Sequence, residues 1–142
     1  MIHFQLVALS GTKFDDDVYE VVLPTLDGEI GVLQDHMPLV SVASTGVIAV
    51  RRDAKDSDVQ REFFATNGGV VEVSNNKLRV LVDEADNADD INEAEAEAAV
   101  ERAKKMMAEA KDQVSLEHAQ QLVDRSSVRL QVAGLKRRHQ KR

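Results

Sequence analysis

The sequence predicts an all-β sandwich over residues 1–86 followed by an antiparallel α-helical hairpin over residues 87–142. Two observations carry this division. Apolar residues recur with a period of two in the first part and at intervals of three and four in the second. No strand-like segment of the first part is followed by the helical stretch of about 10 to 15 residues that a parallel crossover needs. Charge divides at the same place: residues 1–86 carry 15 acidic and 7 basic side chains and residues 87–142 carry 10 and 11, so −8 faces +1. A domain of under about 100 residues buries only about 60 to 65% of its unfolded surface, so each part is marginal alone.

The strands follow from the N-terminus. Ile2, Phe4 and Leu6 alternate with His3, Gln5 and Val7. Further runs rich in Val, Ile or Phe lie at 18–23, 29–33, 46–51, 61–66, 69–73 and 78–82. Leu26-Asp27-Gly28-Glu29 has turn chemistry, because glycine reaches positive φ without cost. Ser74-Asn75-Asn76-Lys77 predicts a tight hairpin joining 69–74 to 77–82. The polar run Arg52 to Asp58 predicts a longer hairpin tip, and the acidic run Asp15-Asp16-Asp17 reads as a solvated turn.

From Asp83 to Asp90 the chain is too polar to pack on both sides, and an alanine-rich segment of high helix propensity follows. Asp90, with Glu93 three residues on, forms a capping box in this reading, with Asp89 as the alternative cap. Ala96, Ala99, Ala103, Met106 and Ala110 then make one small-residue stripe that ends near Lys111. Ser115 is the expected cap of a second helix whose facing stripe is Leu116, Ala119, Val123, Ser126, Leu130 and Ala133. At about 0.8 kcal/mol per buried methylene, an alanine seam contributes several kcal/mol less than a leucine seam. The hairpin is therefore expected either to lean on the β domain or to open towards something else, with Val128, Val132 and Leu135 as its second apolar strip. The last seven residues include Lys136, Arg137, Arg138, Lys141 and Arg142 and no acid. Such an end suits an acidic protein partner, a polyanion or a solvated tail.

Most chemical functions are excluded by what is missing. There is no cysteine, which removes disulfides and thiolate chemistry. No phosphate-binding glycine loop, nucleophile elbow or His-Glu-x-x-His motif is present. The four histidines, His3, His36, His118 and His139, are scattered. The single acid–base candidate is Asp35-His36, and adjacent residues on extended chain point in different directions. Nucleic acid is disfavoured by the acidic β domain, the absence of Trp and the single Tyr. No positively charged leader precedes an apolar run, and no stretch approaches the about 20 apolar residues that span a bilayer, so no direct membrane insertion is expected. The residues by themselves describe an interaction protein with no catalytic site and no cofactor.

The run Pro24-Thr25-Leu26-Asp27-Gly28-Glu29-Ile30-Gly31-Val32-Leu33-Gln34-Asp35-His36-Met37-Pro38-Leu39-Val40 resembles the epsilon subunit family of bacterial-type rotary ATP synthases. The likeness continues through Gly46-Val47-Ile48, Phe64 to Val73 and Asn75 to Val82. It implies a sandwich of about ten short strands with a two-helix hairpin behind it. It also implies a non-catalytic central-stalk role, peripheral at the cytoplasmic face of the plasma membrane. The implied partners are the gamma subunit, the c-ring of the membrane sector and, through the hairpin, the alpha and beta subunits of the catalytic head.

In that picture Glu29 and the turn Asp35, His36, Met37 and Pro38 face stalk neighbours, and Phe63 or Phe64 is core. Val128, Val132, Leu135, Lys136, Arg137, Arg138, Lys141 and Arg142 are the hairpin's contacts when it restrains hydrolysis. Some family members bind ATP through an Ile/Leu-Asp-x-x-Arg-Ala sequence. The matching stretch here begins Ile91-Asn92 and has Glu95 where arginine stands, so a positive charge is replaced by a negative one and ATP binding is expected to be weak. The competing reading is a freestanding β-sandwich adaptor whose hairpin docks an acidic protein.

Overall fold

The computed structural model describes residues 1–140, with side chains through Arg137. Eight strands form a single sheet folded into two layers: β1 (Ile2–Ala8), β2 (Gly11–Val18), β3 (Glu20–Thr25), β4 (Gly28–Leu33), β5 (Leu39–Arg51), β6 (Glu62–Ser74), β7 (Lys77–Val82) and β8 (Ala85–Asn87). Their order is β2-β1-β7-β6-β5-β3-β4, with β8 also on β6. Two helices follow, α1 (Glu93–Glu109) and α2 (Gln113–Gln140). The architecture is the β-sandwich with helical hairpin that the period change predicts.

Strand number depends on the two longest strands. β5 and β6 have 13 residues each and run through both layers; counted once per layer, they raise the eight strands to ten segments. The inward-facing residues change parity along them. Ala43 faces in on β5, then Ile48 and Val50; Phe64 faces in on β6, then Val71 and Val73. In a strand of period two such a change requires a bend, and the pairing skips Ser44 opposite Gly68 at that point. Gly68 adopts φ +101°, and a Cβ on Gly69 would stand 1.9 Å from the Leu81 carbonyl oxygen, so both glycines are required where the sheet folds over.

The predicted hairpin between β6 and β7 is present, with Ser74 opposite Lys77 and both asparagines at positive φ. The β3–β4 turn forms at Leu26-Asp27, where the Thr25 hydroxyl donates to the Gly28 carbonyl at 2.6 Å. Two whole strands, and residues 39–45 of β5, escape the sequence reading. Asp15-Asp16-Asp17 is not a turn but lies in the C-terminal half of β2, whose Phe14 and Val18 are buried. Phe14 lies 5.3 Å from Phe4 and 6.1 Å from Phe64, centroid to centroid, so this strand closes one side of the core. The short β8 pairs Ala85, Asp86 and Asn87 with Thr66, Ala65 and Phe64. β1 lies parallel to β7, 74 positions away at His3–Lys77, a contact with no local signal.

The acids of β2 are held by charge. His3 on β1 has Nδ1 2.7 Å from Asp17 and Nε2 2.6 Å from Asp15. Ionised carboxylates only accept, and a neutral imidazole has one N–H, so the two contacts together require the imidazolium. Asp16 pairs with Arg52 at 3.1 Å, and Arg52 lies 4.7 Å above the Phe14 ring.

Helix caps differ from expectation. Asn92, not Asp90 or Asp89, caps α1, accepting from the Glu95 amide at 3.0 Å, while Asp90 closes a 3₁₀ turn over Ala88–Asp90. Asp112, not Ser115, caps α2, accepting from the Ser115 amide at 2.7 Å; that bond holds its carboxyl below the usual range. Ala96, Val100 and Ala103 of α1 are buried, as are Ala119, Ser126 and Ala133 of α2. Met106 and Leu116 are exposed, so the seam is tight near the sandwich and loose at the hairpin tip.

Two outcomes are expected from this packing. The bonds to Asp17 and Asp15 raise the His3 pKa above its ordinary 6.5, so its contribution to stability is complete below pH 6.5 and disappears as pH rises through the folded-state value. An NMR titration should give a His3 midpoint above 6.5, and the stability gap between wild type and His3→Ala should narrow at alkaline pH. Gly69→Ala should destabilise by about 2 kcal/mol or more because backbone must move. Gly134→Ala, where a Cβ meets nothing within 4 Å, should stabilise α2 by up to about 1 kcal/mol; urea unfolding measures both.

Candidate functional site: interaction surfaces

The loop that carries Asp35 and His36 is built for structure. His36 Nδ1 contacts the neighbouring Met37 carbonyl at 2.7 Å, as a donor in the tautomer that fits, and makes no bond to Asp35. Asp35 has φ 60°, and its amide donates to Asn76 Oδ1 at 3.0 Å. Asn76 Nδ2 in turn donates to the Met1 carbonyl at 2.9 Å, and the Met1 ammonium bonds Gln34. The β6–β7 turn thus ties the N-terminus to the loop after β4. Among the described residues no group of three or more His, Cys, Asp or Glu is placed to hold a metal.

Glu29 does not join this loop. It follows the first residue of β4, whereas Asp35 to Pro38 follow its last. At about 3.3 Å per residue the strand carries the chain about 13 Å from Glu29 to Leu33, so Glu29 and the loop lie at opposite ends of one edge strand. Glu29, Asp35, Met37 and Pro38 are exposed, and His36 is half-buried.

The two outer faces of the sandwich differ in kind. One is apolar and uncovered. Val42 of β5 stands opposite Val70 of β6, Val70 opposite Leu81 of β7, and Leu81 opposite Val7 of β1, giving a row across four strands. Val42, Val70 and Leu81 are 50, 46 and 42% exposed, and Val40 beside them is 76% exposed. Contiguous apolar surface of this sort marks a contact site, whereas isolated exposed valines would not. The sequence reading missed this row. Its signal is the absence of alternation in Val70-Val71 and Val80-Leu81-Val82, where both faces of the strand are apolar.

The other outer face is covered by α2. Val132 is fully buried against Ala49, Phe63, Ala65 and Ala88, with Val128 and Leu135 packed at the same place. Both phenylalanines of the 61–66 run are therefore core, Phe64 between the layers and Phe63 under the helix. The basic residues of α2 face acids that precede and begin α1. Arg125 lies 3.5 Å from Glu84, Arg129 3.3 Å from Asp86 and Arg137 2.8 Å from Glu93; Lys136 pairs with Asp89. Of the other expected contacts, the Arg138 side chain, Lys141 and Arg142 lie outside the described residues. A cavity of about 650 Å³ opens beside Arg125 and Arg129, with Lys13, Asp83, Glu84 and Asp86 also on its wall. Asn92 and Glu95 do not line it, and Asn92 is committed to the α1 cap.

Residues 1–88 match the family model described as ATP synthase, Delta/Epsilon chain, beta-sandwich domain, and residues 89–134 match ATP synthase, Delta/Epsilon chain, long alpha-helix domain. The chain is 35% identical over 133 residues to the ATP synthase epsilon chain of Gloeobacter violaceus, covering 94% of this chain and 97% of that one. It is 36% identical over 132 residues to the epsilon chain of Synechococcus elongatus, covering 92% and 93%. Its fold is similar to a chain in the cryo-EM structure of the Euglena gracilis mitochondrial ATP synthase, with a TM-score of 0.77 at 19% identity over 93% of this chain and 80% of that one. A chain in the central stalk and c-ring structure of the Tetrahymena thermophila mitochondrial ATP synthase gives 0.59 at 15% identity, covering 94% and 95%. With both parts of the chain matched in order and a helical hairpin laid on one face of the sandwich, this protein belongs to the ATP synthase Delta/Epsilon family, as a non-catalytic epsilon chain.

Proposed function

We propose that the chain works in the central stalk of a proton-translocating rotary ATP synthase, coupling rotation between the membrane c-ring and the catalytic head, with its hairpin restraining ATP hydrolysis. The observation that carries this is the inequality of the two outer faces. A sandwich that covers one face with its own helix and leaves valines and a leucine bare on the other has a docking side and a regulated side. The bare row Val42, Val70 and Leu81 is assigned to the gamma subunit. Glu29 at one end of β4 and Asp35 to Pro38 at the other are assigned to the remaining stalk contacts, including the c-ring. Through these neighbours the chain is held at the cytoplasmic face of the membrane.

The division of labour has structural support. Every residue of the inner core lies at or before Ala85, so the sandwich keeps that core without the hairpin. What truncation exposes is the outer cluster under α2, chiefly Phe63, Ala65 and Ala49. In the restraining state, Val128, Val132 and Leu135 exchange that cluster for the alpha and beta subunits, with Lys136, Arg137, Arg138, Lys141 and Arg142 meeting acidic surface there.

Reconstitution of the soluble ATPase head with full-length chain or with a chain ending after Asn87 tests this. The shortened chain should remain in the complex while hydrolysis rises; a folded fragment that fails to assemble, or unchanged hydrolysis, would overturn the assignment. Val42→Asp with Val70→Asp should leave the isolated chain folded and weaken its retention by about tenfold or more, since a charge would enter the centre of the contact.

Nucleotide has little place in this chain. Arg125 and Arg129 are paired with Glu84 and Asp86, and neither Asn92 nor Glu95 supplies positive charge to a triphosphate. Isothermal titration of the purified chain with ATP should show weak binding or none, and a saturable low-micromolar dissociation constant would refute it.

A further inference from the structure

We propose that the acidic segment from Glu84 to Glu93 is an intramolecular latch: it occupies the basic face of α2, holds the hairpin on the sandwich by charge, and yields it to an acidic surface that competes for the same side chains. The ion pairs form in step along the two segments. Glu84, Asp86, Asp89 and Glu93 meet Arg125, Arg129, Lys136 and Arg137 in the same order.

Geometry makes the first two pairs commensurate. From Glu84 to Asp86 an extended chain advances about 6.6 Å, at about 3.3 Å per residue. From Arg125 to Arg129 a helix advances about 6 Å, at about 1.5 Å per residue. At about 100° per residue, Arg125, Arg129, Val132 and Lys136 fall within about 60° of one another around α2. The ion pairs therefore share their strip of helix with the buried Val132, so the apolar contact and the ion pairs form or break together.

The acids are anchored independently of the hairpin. Asp86 lies in β8, paired to Ala65 of β6, and the Glu84 amide donates to Asn67 Oδ1 at 2.9 Å. Asp89 sits in the 3₁₀ turn, its amide bonded to Asn87 Oδ1 at 2.9 Å. Glu93 differs, because it opens α1 and moves with the hairpin; its pair with Arg137 fixes α1 against α2. Glu84 and Asp86 are thus tied to β6, Asp89 is held in the turn that follows β8, and together they present negative charge to the cationic face of α2. Each pair is partly exposed, with side-chain exposures of 29 to 68%, so the latch is sensitive to screening, whose length falls from about 10 Å at 0.1 M salt to about 3 Å at 1 M.

This latch goes beyond the stalk assignment and concerns the isolated chain, so its failure is distinguishable from failure of that assignment. The chain has no cysteine, and two can be introduced at the exposed Lys55 and Glu117 for fluorescence energy transfer. The docked-to-released ratio of the full chain should fall as salt rises from about 0.05 to about 0.5 M. The variant Glu84→Gln, Asp86→Asn, Asp89→Asn should show a ratio lower by about tenfold at low salt, equivalent to about 1.4 kcal/mol, with little further salt dependence. Adding Arg125→Glu, Arg129→Glu and Lys136→Glu to Glu84→Lys, Asp86→Lys and Asp89→Lys should restore docking, which separates loss of charge pairing from misfolding. Polyglutamate should release the wild-type hairpin at low salt. A wild type indifferent to salt, a neutralised variant as docked as wild type, or a swapped variant that stays released would overturn the latch; no release by polyglutamate would overturn the exchange with an acidic surface.

Discussion

The antiparallel pairing of β5 with β6 is the constraint on which everything else rests. It runs from Leu39–Val73 at one end to Val50–Glu62 at the other, and it carries the fold-over between the two layers. The remaining strands attach to it, β7 and then β1 and β2 on one side, β3 and β4 on the other, with β8 on the free stretch of β6. Because this ribbon bends at Ser44 and Gly68, the residues that face the core switch parity, and the residues that face outward switch with them. The two outer surfaces are consequences of that bend. Before it, β5 presents Val40 and Val42 to solvent; after it, β5 presents Val47 and Ala49 to α2. The bend thus leaves the row Val42, Val70 and Leu81 uncovered while α2 lies on the other outer face.

The bend also explains why glycine occupies Gly68 and Gly69. Close approach of β6 to the Leu81 carbonyl leaves no room for a Cβ, and the tight φ at Gly68 excludes ordinary side chains. The energetic weight of the domain lies between the layers, where Phe4, Phe14 and Phe64 meet and Ile2, Leu6, Leu23, Ile48 and Leu78 are fully buried. The hairpin adds a much smaller apolar contact through Val132, Val128 and Leu135, supplemented by ion pairs that are individually worth about 0 to 1 kcal/mol. The inner core is thus complete within the sandwich, and the hairpin rests on a smaller, separate cluster.

Charge has a different role in each half. On β2 the acids are fixed by His3 and Arg52, and they line the sheet's edge with side chains that discourage pairing by another chain. Between sandwich and hairpin, the excess of acid in residues 1–86 meets the basic face of α2, so the −8 and +1 halves read from the sequence are partly neutralised within one molecule. The basic residues expected to wait for an acidic partner are, for Lys136 and Arg137, already engaged. Electrostatic binding to anything else is then an exchange of ion pairs, whose free energy is a difference and not a sum.

By itself the sequence determined what depends on neighbours along the chain. Period two and period three-to-four separated sandwich from hairpin, Asn75-Asn76 specified the β6–β7 turn, and the stretch from Pro24 to Val40 identified the family. It placed Val132 on an apolar strip and denied Asp35 and His36 a catalytic geometry. Tertiary structure decided whatever depends on residues far apart. Three consecutive aspartates become a strand because Phe14 has a place in the core and His3 and Arg52 neutralise the acids, and neither condition is visible locally. Asn92 displaces Asp90 as a cap because β8 and the 3₁₀ turn use the chain up to Asp90. The row Val42, Val70, Leu81 exists only once three separate strands are set in register. The partners of Arg125, Arg129, Lys136 and Arg137 likewise lie about 40 to 50 residues earlier in the chain, where no periodicity reaches, and only the fold brings the opposite charges to the same place.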